Sequence, residues 1–106
     1  MAWIVLVVAG LLEVVWAFTM KQSEGFSRFW PSVITLIAMV LSVVCLAWSM
    51  RSLPLGTAYT IWTGIGAVGA FIVGIAFLGE AMNATRILAA VLIVSGLVLM
   101  KLSSTT

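Results

Sequence analysis

Apolar residues run almost unbroken through four stretches of this 106-residue chain, roughly 3 to 21, 31 to 50, 57 to 78 and 85 to 102. Short connections between them collect most of the charged residues. Each run is close to the 20 or so residues that a helix needs to cross the hydrocarbon of a bilayer. A spanning segment must satisfy its own backbone hydrogen bonds, so the pattern predicts helices. The expected architecture is an all-α integral membrane protein, with residues 1 to 106 forming a single four-helix transmembrane domain. Composition leaves little room for a soluble fold: 64% of residues are hydrophobic and 8% charged, with a mean hydropathy of +1.32. The first run lacks a basic start and is followed by Lys21 rather than a small-residue cleavage site, so it reads as a retained span and not as a signal peptide.

One polar residue breaks this pattern where it matters most. Glu13 is the only charged side chain in the middle of a run, and an ionisable group at the bilayer centre costs roughly 2.5 kcal/mol or more to insert. Such a residue is read by default as part of an ion, proton or substrate path, the alternative being a structural hydrogen bond between helices. Helical spacing puts Ala9, Gly10, Glu13, Trp16 and Ala17 on one face, where small residues would leave space beside the carboxylate. In the third run Tyr59, Trp62 or Thr63, and Gly66 share a face, and aromatic rings suit a cation that a buried carboxylate would bind. Glycines 64, 66, 69 and 74 permit kinking, close helix packing or both together. Ser42 sits near mid-depth of the second run, where it could bond to Glu13, to a ligand, or back to its own helix. Trp3, Trp30 and Trp48 lie at run ends and are expected in the interfacial belt.

The remaining charges bear on assembly. With four spans, Arg51 and Lys101 fall on one side of the membrane and Lys21, Arg28 and Arg86 on the other. Two against three is almost no bias, so the chain is expected to insert in both orientations. Two copies in opposite senses would supply the inverted symmetry that many transporters build from internal repeats. Such a homodimer would bring two Glu13 carboxylates to one cavity. Ala89, Leu92, Ile93 and Gly96 recur at spacings of three and four in the last run, fitting a dimer contact or packing within one subunit equally well.

Other chemistry lacks its residues. There is no histidine, no aspartate, one cysteine (Cys45, within a span) and no phosphate-binding loop, so neither an enzyme nor a metal or other cofactor is expected. A net charge of +2, carried singly at span ends, points to interfacial anchoring in the lipid bilayer and not to nucleic acid, despite the pI near 9.2.

Taken together, Gly10-Leu11-Leu12-Glu13-Val14-Val15-Trp16, Pro31-Ser32, Leu53-Pro54-Leu55-Gly56-Thr57-Ala58-Tyr59 and Trp62-Thr63-Gly64-Ile65-Gly66-Ala67 resemble the small multidrug resistance family along the full length of the chain. Gly10, Trp16, Ser42 and Lys101 look like its guanidinium-exporter branch. The resemblance implies a dual-topology, antiparallel homodimer in the bacterial inner membrane, multi-pass, with the fourth helices in contact. It further implies exchange of protons for guanidinium or another small organic cation at Glu13, with Trp16, Ser42, Tyr59 and Trp62 around it. Two positions depart: Thr60 stands where that branch commonly has alanine, and Ala89 where the drug-exporting branch has glycine. Small quaternary ammonium compounds could enter as secondary substrates at Thr60. A broad quaternary ammonium exporter of the same family, a small dual-topology ion channel and a structural subunit of a larger complex stand as alternatives.

Overall fold

The computed structural model describes residues 1–103. It contains four helices: α1 (Ala2–Gln22), α2 (Phe29–Ser49), α3 (Leu55–Leu78) and α4 (Ala84–Leu102). At 1.5 Å per residue these are about 29 to 36 Å long, enough to cross the hydrocarbon. All four are also apolar enough to do so.

The helix ends follow from local sequence. Pro54 takes an extended conformation at the start of α3, and its ring pre-sets the chain for the turn that follows. Gly79 ends that helix at φ 68°, a left-handed conformation open to glycine, and lets Glu80 N donate back to Gly74 O at 3.1 Å. Asn83 caps α4 by accepting from Arg86 N at 2.9 Å.

The helices form a slab of 43 × 34 × 16 Å. Its centre is α1, with α2 packed on one flank and α3 on the other, while α4 lies beyond α3. The buried apolar cluster of Leu6, Ala9, Leu46, Leu53, Ala58 and Ile61 sits at the end where the N-terminus and the second connection meet. At that end Lys101 Nζ lies 4.3 Å from the centroid of the Trp3 ring, which joins the last turn of α4 to the first of α1. Trp3 therefore packs half-buried against the core, whereas Trp30 and Trp48 are exposed at span ends as expected for the belt.

The α1–α2 interface carries a row of hydroxyls that span-level reading overlooks. Thr35, Ser42 and Ser49, seven residues apart, are all fully buried against α1. Ser49 Oγ donates to Ala2 O at 3.3 Å, Ser42 Oγ donates to Ala9 O at 2.7 Å, and Thr35 and Thr19 pair through their hydroxyls at 2.7 Å. In lipid there is little hydrophobic drive between helices, so small residues and such bonds hold them together.

Candidate functional site

Glu13 projects from the middle of α1 towards α3. Facing it is Gly66: a Cβ there would overlap the Glu13 carboxylate, so only glycine lets the two helices approach with the carboxylate between them. The same logic runs along the interface. Gly10 accommodates Ile65 and Gly69 accommodates Val14, while Gly64 receives Leu97 and Gly74 receives the Glu80 carboxylate. Gly64, Gly66, Gly69 and Gly74 thus serve close packing, and α3 runs as one helix from Leu55 to Leu78. The room that Gly10 leaves is filled by Ile65 rather than left open beside the carboxylate.

Two polar atoms on this stretch of α1 are buried without a hydrogen-bond partner among the described residues: Glu13 Oε1 and Trp16 Nε1. Leaving a buried polar group unpaired costs about 1 to 3 kcal/mol, and more for a charged one. A carboxylate acceptor and an indole donor one turn apart, both unpaired, are chemically equipped to receive a ligand with charge and hydrogen-bonding groups.

Ser42 takes up a bonding pattern that the sequence did not suggest. Its hydroxyl bonds neither Glu13 nor its own helix. It donates to Ala9 O on α1 and accepts from Trp62 Nε1 at 2.9 Å on α3. The residue therefore ties three helices together one turn below Glu13. Trp62 in turn stacks at a tilt on Tyr59, with ring centroids 5.5 Å apart.

Tyr59 and Thr60 are exposed, about two turns of α3 from Gly66, and line the groove between α3 and α4. Within one protomer they are not brought to Glu13. Leu92, Ile93 and Gly96 line the opposite wall of that groove, which encloses about 520 Å³. Ala89 lines a neighbouring hollow with Phe71 and Arg86. No described residue of α4 is buried, and a Cβ at Gly96 would meet nothing within 4 Å. No group of three residues able to hold a metal ion occurs among the described residues.

The residues missed by sequence reading are Thr19, Thr35 and Ser49. The seven-residue spacing of Thr35, Ser42 and Ser49 was the available signal, since it keeps them on one helix face.

Comparison with known proteins places the chain among close relatives. A family model described as "Small Multidrug Resistance protein" matches residues 1–93. A protein of Escherichia coli K12 named "Guanidinium exporter" is 60% identical over 104 residues, covering 98% of this chain and 99% of its own. Its namesake in Yersinia pseudotuberculosis is also 60% identical over 104 residues, with 98% and 100% covered. The one in Citrobacter freundii is 57% identical over 104 residues, with 98% and 99% covered.

Proposed function

Because the chain belongs to the small multidrug resistance family, a family of transporters and not of enzymes, we propose that this multi-pass bacterial membrane protein exports guanidinium and related guanidinyl cations in exchange for protons. The observation that carries the proposal is the buried, unpartnered Glu13 Oε1 at mid-membrane beside the unpartnered Trp16 Nε1. The names of its relatives support guanidinium as the cation.

One group serves two ligands. Guanidinium is flat and presents paired N–H donors that match a carboxylate, so its binding favours the ionised form of Glu13. Protonation removes the charge that holds the cation and releases it. Proton and cation then compete for one site. If the empty, ionised site does not reorient, a proton gradient drives export without any other energy source. Trp62, held by Ser42, would supply an aromatic face to the cation, and Tyr59, tilted against it, would reach the cation only across the proposed dimer.

The working unit in this proposal is an antiparallel homodimer in the inner membrane. A protomer 16 Å thick cannot enclose a path, no described residue of α4 is fully buried within it, and basic residues divide two to three between the sides. Ala89, Leu92, Ile93 and Gly96 form the contact, and the partner brings a second Glu13 to the same cavity. Small quaternary ammonium ions enter as secondary substrates, a reading favoured by the exposed Thr60 beside Tyr59 in a largely apolar groove.

The test is transport in sealed proteoliposomes. Adding guanidinium outside should make the interior alkaline as protons leave in exchange. Current without proton movement would identify a channel, and neither response would identify a structural subunit.

A further inference from the structure

A second groove, on the far side of α1 from α2, has no role in the transport scheme. Val14 and Phe18 of α1 face Val73 and Phe77 of α3 across a wholly apolar hollow of about 270 Å³. Phe77 is 75% exposed there, although its ring meets Phe18 edge-on at 6.4 Å. Val14, Phe18 and Val73 also line an adjoining hollow of about 120 Å³ whose outer wall is Lys21 and Glu80. The two are continuous, running from mid-depth at Val14 to the membrane interface at Lys21, about 10 Å along α1.

The geometry points to a binding site for a zwitterionic phospholipid with a primary ammonium head. One acyl chain lies against Val14, Phe18, Val73 and Phe77, the phosphate meets Lys21, and the ammonium meets Glu80. Charge complementarity selects this occupant, because the mouth offers one cation and one anion at the depth of the headgroups. The Glu80 carboxylate is folded back against α3 over Gly74, which brings it to the groove. Its ion pair with Arg86 is long, 3.7 Å, and both side chains are about 40% exposed, which leaves oxygen lone pairs for an ammonium. A choline head has no N–H to offer Glu80, and a glycerol head has no cation.

Native mass spectrometry of the full chain, purified in mild detergent and titrated with equal amounts of phosphatidylethanolamine, phosphatidylcholine and phosphatidylglycerol, tests this. The protein should retain phosphatidylethanolamine about fivefold over phosphatidylglycerol, the ratio that one interfacial ion pair supplies, and about twofold to fivefold over phosphatidylcholine, which keeps the charge but offers Glu80 no N–H. Glu80→Gln should abolish the preference over phosphatidylcholine, and Lys21→Gln should lower retention of all three. Both positions are at the surface, so the variants should fold. Val73→Phe, checked for helicity, should reduce every lipid by filling the groove. Equal retention of the three lipids by the unmodified protein would overturn the assignment. So would high-yield cross-linking of two copies through Phe77→Cys in a Cys45→Ala background, which would show that a second chain covers the groove.

Discussion

At the scale of single residues, Gly66 is the sharpest consequence of the geometry around Glu13. A methyl group there would overlap the carboxylate, and overpacking of this kind costs about 1 to 3 kcal/mol. Gly66→Ala should therefore reduce guanidinium transport at least about fivefold. Gly56→Ala, where a Cβ meets nothing, should transport normally, and equal effects in a flux assay would remove Gly66 from the site. Ser42 makes a different kind of prediction. With its hydroxyl engaged by Ala9 O and Trp62 Nε1, Ser42→Ala strands a partly buried indole N–H and should weaken transport by about 1 kcal/mol. Trp62→Phe removes the same bond from the other side, so the double variant should lose no more than the worse single one; additive losses would separate the two residues. Thr60→Ala should selectively lower quaternary ammonium transport in competition assays, and an unchanged ratio to guanidinium would clear that position of a part in selectivity. Glu13 was legible in the sequence because a carboxylate amid apolar residues has few explanations. The partners of Ser42 were not, because a serine within a helix can equally bond its own backbone.

At the scale of elements, the four helices were readable from run length alone, since the bilayer fixes how long a spanning segment must be. Their pairing was not. Thr35, Ser42 and Ser49 look scattered in a run that is otherwise apolar, and only the seven-residue spacing hints that they form one seam against α1. The α3 glycines left kinking and packing open, and the answer depended on knowing what stands opposite each one: Leu97, Glu13, Val14 and Glu80. The seam has a measurable weight. Hydrogen bonds between membrane helices average about 0.6 kcal/mol, so Ser49→Ala and Thr35→Val should each destabilise the protein by that order in reversible unfolding. Guanidinium transport should be nearly unchanged in both, unlike in Ser42→Ala, because it is Ser42 whose hydroxyl holds Trp62. A transport loss matching that of Ser42→Ala would mean that the whole seam, and not its middle rung, controls the site.

At the scale of the whole molecule, the protomer is a thin slab with its apolar cluster at one end and an unburied fourth helix. The exposed fourth helix is the face that the proposed second copy would cover. Basic residues split two to three across the membrane, so C-terminal reporter fusions should be found on both sides, and two added lysines on one side should bias them strongly. A single orientation of the unmodified chain would rule out an antiparallel dimer from one gene product. The proposed dimer would place two Glu13 carboxylates in one cavity, where cation and proton would exchange. That exchange is tested most directly by recording internal pH in proteoliposomes when guanidinium is added outside, comparing the unmodified protein with Glu13→Gln, which keeps the shape of the side chain but cannot titrate. The unmodified protein should make the interior alkaline and the variant, still dimeric and folded, should give no response; guanidinium-driven proton movement in Glu13→Gln vesicles would contradict the account.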